Sequence, residues 1–270
     1  MKTIFPILFF GLCYACNTPT NKGKVSPISA QAVHDSFVLA RQTVPAPGEQ
    51  EGSIRFPPAA TFGNLLLDGS FHGDEIDPAS ARLKYQGLFK SDSDYYFSPV
   101  KVKITQVQDA IWDEDDQVTG WAVEATPKKD SVIFLIAGMN HLNGHRFAPV
   151  QLPQDEVLPG QRIEFKFGGK EYALFATGKK VGSDFHGYKL YLSTKRGGRR
   201  VEELLVDIPQ FEAAMVHVLL AGDMDGDGEL DLYLDATWNY NLTAPTLYLS
   251  RPAAEGHLLK AVARFNSVGC

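Results

Sequence analysis

The chain has 270 residues, 44% hydrophobic and 11% aromatic, with a formal net charge of −6 and a pI near 5.6. That apolar content is enough for a packed core and excludes a disordered chain, while the acidic balance argues against a nucleic-acid partner, which needs clustered Lys and Arg to meet phosphates. Cysteine is limited to Cys13, Cys16 and Cys270, so no internal disulfide framework is available to the folded part.

Met1 and Lys2 give a positive start to an apolar run (Ile4, Phe5, Ile7, Leu8, Phe9, Phe10, Leu12) that ends at Ala15. It has the length of an export-signal core and is too short to span a bilayer as a mature helix. The run closes with Leu12-Cys13-Tyr14-Ala15-Cys16, which resembles a bacterial lipobox, with small Ala15 immediately before Cys16. The resemblance implies a signal peptide over residues 1–15, Cys16 as the acylated first residue of the mature chain, and a cell-envelope protein tethered to a membrane without crossing it. Cys13 and bulky Tyr14 depart from that motif, which leaves an ordinary signal peptide as the alternative. Residues 16–59 are rich in Thr, Pro, Ser, Gln and Gly with no sustained period, as expected of a flexible lipid-anchored linker. Gln31 to Arg41 admits a short helix, and Pro45, Pro47, Pro57 and Pro58 bar a longer one.

The folded body is expected over residues 60–270. Its first feature is an acidic group, Asp68-Gly69-Ser70-Phe71-His72-Gly73-Asp74-Glu75-Ile76-Asp77-Pro78. A histidine among carboxylates suits acid–base or metal chemistry, but the carboxylates lack ligand spacing and no nucleophile accompanies them. The spacing favours a surface loop in which Asp77 caps a short helix opened by Pro78. Residues 97–138 read as sheet. Val100 to Val107 alternates, Trp112 to Gln117 turns, and Val118 to Ala125 returns, while Val132 to Ala137 is apolar throughout, as in a strand covered on both faces. The tip of that hairpin carries Asp113 and Asp115 but no glycine to coil the chain, which argues against a metal there. His141 and His145 stand in His-x3-His spacing, yet Asn143-Gly144 between them is a turn signal and no Glu follows His141, so both are expected to be loop histidines and not zinc ligands.

Further hairpins follow: Arg162 to Phe167 with Tyr172 to Ala176 around Gly168-Gly169, and Tyr188 to Ser193 with Val201 to Val206 around Gly197-Gly198. The basic run Lys195-Arg196-Gly197-Gly198-Arg199-Arg200 is expected at the tip of the second, as solvated charges or as an anionic-ligand site. Turn signals eight to twelve residues apart define the expected fold class: mainly β, an antiparallel sandwich or barrel-like body of hairpins with one or two short helices.

The most informative stretch is Gly222-Asp223-Met224-Asp225-Gly226-Asp227-Gly228-Glu229-Leu230-Asp231. Asp223, Asp225 and Asp227 converge only if the backbone coils tightly, which Gly226 and Gly228 permit through positive φ. With hard carboxylate oxygens converging, the backbone carbonyl of Glu229 available and Asp231 closing the shell directly or through water, the segment has the chemistry of a Ca2+ site at 223–231. An EF-hand would need a bidentate Glu at its twelfth position, which here is Leu234, and a helix on each side; instead Val216 to Leu220 and Leu230 to Asp235 read as strands, the latter with strict alternation. Gly222 through Leu232 resembles the FG-GAP/VCBS type of calcium repeat. The resemblance implies a structural calcium loop, of the kind repeated around β-propellers, present in one copy. After the loop, Trp238 and Tyr240 alternate with Thr237, Asn239 and Asn241, as an aromatic platform for a sugar beside the metal loop or as core packing. Leu258 to Phe265 fits a helix or a strand, and Cys270 has no evident partner. The chain contains no G-x-S-x-G, Walker, Rossmann or H-E-x-x-H pattern. Two functions follow: a lipid-anchored envelope protein whose calcium loop orients a binding surface for a glycan or a protein, or a calcium-dependent hydrolase acting on carbohydrate through Asp and Glu.

Overall fold

The computed structural model describes residues 54–57, 60–127 and 130–269, all within one compact unit of the chain. The expected signal peptide, the lipidation site Cys16, nearly all of the 16–59 linker and Cys270 lie outside the described residues. In chain order the strands are β1 (Gly63–Leu66), β2 (Gly69–Phe71), β3 (Tyr85–Lys90), β4 (Tyr95–Val107), β5 (Gly120–Thr126), β6 (Ser131–Ala137), β7 (Arg146–Phe147), β8 (Arg162–Phe167) and β9 (Lys170–Val181). They continue with β10 (Asp184–Arg196), β11 (Arg199–Gln210), β12 (His217–Gly222), β13 (Asp231–Asp235), β14 (Leu242–Thr243), β15 (Pro245–Leu249), β16 (Lys260–Arg264) and β17 (Ser267–Val268). Two short 3-10 helices, Pro78–Arg82 and Asn140–Leu142, are the only helices among the described residues. The first is capped as its sequence predicts, with the Asp77 carboxylate accepting from the Ala79 N–H at 2.9 Å and proline at the start.

The fold is mainly β, as expected, and its large mixed sheet curls into a half-barrel. Strands run in the order β12-β13-β15-β16-β1-β6-β3-β4-β5-β2, with β7 added against β4. A second, four-stranded sheet is the meander β11-β10-β9-β8, and β14 pairs with β17. The glycine pairs act as the sequence predicts. Gly168 and Gly169 (φ 55° and 74°) turn β8 into β9, and Gly197 and Gly198 (φ 55° and 77°) turn β10 into β11. Positive φ at both central positions matches the strand twist, and glycine adopts it without a Cβ clash.

Ile54 is buried and Arg55 forms a bridge to Asp207, with Arg55 N–H to the Asp207 carbonyl at 2.7 Å. The segment left open at Leu258 to Phe265 contains β16, which pairs antiparallel with β15 and parallel with β1. It does not alternate in sequence because Ala261, Val262 and Ala263 are all buried.

Two cores lie on opposite faces of the β12-β13-β15-β16 region. One joins it to the four-stranded sheet through Leu190, Leu192, Leu205, Leu232, Leu234 and Tyr248; the other joins it to the β1, β3 and β6 region through Leu65, Leu88, Phe134, Tyr233 and Leu247. The alternation of Leu230 to Asp235 predicts a half-buried strand, but Leu232, Tyr233 and Leu234 are each 2% exposed or less. Tyr233 fills the second core where an edge hairpin would meet water. The acidic loop is thus held by a strand clamped from both sides.

Candidate metal centre

The loop at 223–230 joins β12 to β13, and the ladder closes beneath it with Gly222 opposite Asp231. Its two apolar residues anchor it in different cores: Met224 is fully buried in the second and Leu230 is 2% exposed in the first. Gly222 is required by packing, since a Cβ there would lie 2.9 Å from the Phe147 ring. Gly226 has φ 75° and backs onto His145, whose ring nitrogen would sit 3.1 Å from an added Cβ.

One carboxylate oxygen from each of Asp223, Asp225 and Asp227 lies within 4.8 Å of the others. Oxygens bound on opposite sides of a calcium ion at about 2.4 Å are about 4.8 Å apart, so the three fit one coordination sphere. Each carboxylate is oriented by the chain. Asp223 Oδ1 accepts from the N–H groups of Gly226 at 2.7 Å and Asp227 at 3.0 Å, and its Oδ2 from Gly228 at 3.0 Å. Asp227 accepts from the Glu229 N–H at 2.8 Å and from the Ser250 hydroxyl at 2.8 Å.

Asp225 is the critical member. Its side chain is fully buried, its Oδ2 accepts from the Arg251 N–H at 3.2 Å, and its Oδ1 is buried with no hydrogen-bond partner. Arg251 Nε stands 3.7 Å from that oxygen, close enough for attraction and too far for a hydrogen bond. Burial, and then the charges of Asp227 and Asp223, push the Asp225 carboxyl above its ordinary value, despite the opposing pull of Arg251. A buried acceptor with no donor, facing two further carboxylates, has the charge and donor chemistry that a hard cation satisfies.

The other two predicted ligands sit differently. Asp231 is not among the converging oxygens: its Oδ2 accepts from the N–H groups of Met224 at 2.7 Å and Asp225 at 3.0 Å, and its Oδ1 from Ser250 at 2.7 Å. It ties the loop to the end of β15. Burial, with Asp225 beside it, pushes its carboxyl up to about 8. The Glu229 side chain turns away to an ion pair with Lys170, and its Oε2 lies 3.3 Å from the Tyr172 hydroxyl and 4.0 Å from Arg196.

His145, Ser250 and Arg251 complete the surround and have no local sequence signature. The ring Nε2 of His145 lies 2.8 Å from the Asp223 carbonyl, so a histidine of the His-x3-His pair buttresses the acidic loop. His141 is exposed on the Asn140–Leu142 turn. Trp238 and Tyr240 are not beside the loop. They follow Asp235 at the opposite end of β13, roughly 15 Å away along the strand. Trp238 packs against the first core with Arg264 over its ring at 5.4 Å, while Tyr240 is 64% exposed, so the two do not form one platform.

Elsewhere His72 Nδ1 meets Asp109 Oδ2 at 2.5 Å, and Asp109 also caps the turn by accepting from Ile111 at 3.0 Å and Trp112 at 3.3 Å. The hydrogen bond to Asp109 raises the His72 pKa, and the same bond lowers that of Asp109. Asp113, in the acidic tip, accepts from the Asp109 N–H at 2.8 Å and from Thr119 N–H at 2.7 Å, which makes it a turn clamp. Among the described residues no helix is long and apolar enough to cross a membrane. Comparison of the chain with protein-family models, with curated proteins and with solved structures finds no match.

Proposed function

We propose that the protein is a lipid-anchored cell-envelope protein in which one Ca2+ closes the β12–β13 hairpin and stiffens a β body that binds a glycan or another envelope protein. The observation that carries the calcium assignment is the buried, partnerless Asp225 Oδ1 facing the Asp223 and Asp227 carboxylates. Asp223, Asp225 and Asp227 hold the ion with the Glu229 main-chain carbonyl and water, and Asp231 fixes the backbone they hang from. The FG-GAP/VCBS resemblance of Gly222 to Leu232 supports a structural ion, and so does its place between two cores. The lipobox resemblance at Cys16 supports the anchor.

The test is thermal unfolding of the full chain with calcium and with chelator. Calcium at one hundred times its Kd stabilises a folded-state site by about 2.7 kcal/mol, which is about 5–10 °C for a body of this size. Asp225→Asn should raise the melting temperature in chelator, because it removes a buried charge without a partner, and should abolish the calcium shift. An unchanged calcium shift in that variant refutes the assignment. For the anchor, Cys16→Ser should move the protein from the membrane fraction to the soluble one.

A further inference from the structure

The outer face of the four-stranded sheet carries a second feature with the geometry of a ligand site. Register places its side chains in three rows across β8, β9, β10 and β11. Arg162, Phe175, Tyr191 and Leu204 form the first row; Glu164, Ala173, Ser193 and Glu202 the second; Lys195 and Arg200 share the third. The centre of the middle row is small, so the long side chains of the outer rows rise around Ala173 and Ser193 and enclose a depression of about 320 Å³. That lies at the small end of ligand pockets and fits one or two sugar rings.

The walls are charged. Arg162, Lys166, Lys195 and Arg200 face Glu164 and Glu171 across the depression, and Glu202 pairs with Arg200 at 2.8 Å, which leaves an excess of one positive charge in a chain whose net charge is −6. The two guanidinium groups are held in place before any ligand arrives. Arg162 lies 5.5 Å from the Phe175 ring centre and bonds Glu164 at 3.0 Å and Ser193 at 3.4 Å. Arg200 reaches the same ring from the other end at 5.8 Å. Tyr191, stacked on Phe175 at 5.0 Å, keeps that ring from turning. Two cations gathered over one ring repel each other, and a single anion between them relieves that repulsion. Lys195 makes no ion pair among the described residues and stands free at the rim.

We propose that this depression binds an acidic saccharide: a sugar ring whose carboxylate or sulfate lies between Arg162 and Arg200, with its hydroxyls donating to Glu164 and Glu171. Planar guanidinium forks suit a planar carboxylate or a sulfate edge, and the mix of cationic donors and carboxylate acceptors suits a polyol ring. This deepens the proposed function by naming a ligand class, and it rests on the protein being a glycan binder; the pocket itself holds none of the calcium ligands.

The experiment is calorimetric titration of the full chain, at fixed ionic strength, with a uronate disaccharide, a sulfated disaccharide, the neutral disaccharide and sodium sulfate alone. At least one acidic disaccharide should bind at least ten-fold more tightly than both the neutral one and sulfate. Arg162→Gln and Arg200→Gln should each weaken it ten-fold or more, and Lys195→Glu, at an exposed position where folding is not at risk, should weaken it several-fold. Failure of both acidic disaccharides to bind below millimolar concentration overturns the proposal, and so does binding that the three variants leave intact. Melting the same protein with calcium and with chelator separates this site from the loop: no calcium-dependent melting shift with intact saccharide binding refutes only the metal assignment, and a calcium shift without saccharide binding refutes only the pocket.

Discussion

Asp231→Ala isolates the residue that holds the loop without joining its converging oxygens. The carboxylate is fully buried and accepts three backbone N–H bonds, from Met224 at 2.7 Å, Asp225 at 3.0 Å and Ser250 at 2.7 Å. Alanine supplies no acceptor, and each orphaned buried donor costs about 1–3 kcal/mol. Removing the buried carboxyl returns part of its desolvation cost, so the expected net loss is about 3–6 kcal/mol against a total stability of about 5–15 kcal/mol. At about 2–4 °C per kcal/mol for a body of this size, the melting temperature should fall by about 6–24 °C. The assay is thermal unfolding by circular dichroism in chelator, where no metal contributes. Asp231→Asn, which keeps one acceptor oxygen, should lose about half as much. A fall of less than about 3 °C for Asp231→Ala in chelator would show that the loop backbone is held by something other than this side chain.

Three further outcomes follow from the same geometry. Glu229→Gln removes the ion pair with Lys170, which is about one-third exposed, so the cost should stay below about 1 kcal/mol; calcium affinity, measured by titration, should change less than two-fold because the side chain turns to Lys170 and Tyr172 and is not among the converging oxygens. In chelator the protein should lose stability as pH rises from 4 to 8: the folded Asp231 carboxyl titrates near 8 and the unfolded one near the ordinary value, so over that window the folded state holds a proton that the unfolded state has released. On the proposed assignment calcium takes the ionised loop, so melts in excess calcium should flatten or reverse that slope; identical slopes in the two conditions would contradict the proposal. His72, held by Asp109, should titrate above the ordinary histidine value in an NMR pH series and return toward it in Asp109→Asn. Its contribution to stability is present below the ordinary histidine pKa and is lost as pH rises through the folded value.

Much of the fold is legible in the sequence where the signal is local. Gly168-Gly169 and Gly197-Gly198 mark hairpins because two consecutive positive φ angles admit little else. Asp77-Pro78 marks a capped helix start for the same local reason. What is not legible depends on chain-distant contacts. The alternation of Leu230 to Asp235 suggests one wet face, and only the packing of Phe134 on Tyr233, ring centres 4.7 Å apart, reveals that both faces are dry. β16 does not alternate because it lies between two covered layers. In the loop, a spacing rule picks out Asp223, Asp225, Asp227 and Asp231 alike; sequence does not show that the first three converge while three N–H groups meet the Asp231 carboxylate. His145, just before β7, and Ser250 and Arg251, in the turn after β15, reach the loop from elsewhere in the chain, and the depression on the four-stranded sheet exists only once register sets Ala173 beside Ser193.

The most direct measurement is calcium titration into chelator-treated protein followed by isothermal calorimetry, with Asp225→Asn run in parallel. The account predicts one site per chain in the native protein, within the micromolar to millimolar range typical of extracellular calcium modules and sensors, and no heat in the variant. Native protein that takes up no calcium, or a variant that binds it as the native protein does, would contradict the claim that the buried Asp225 oxygen exists to meet a cation.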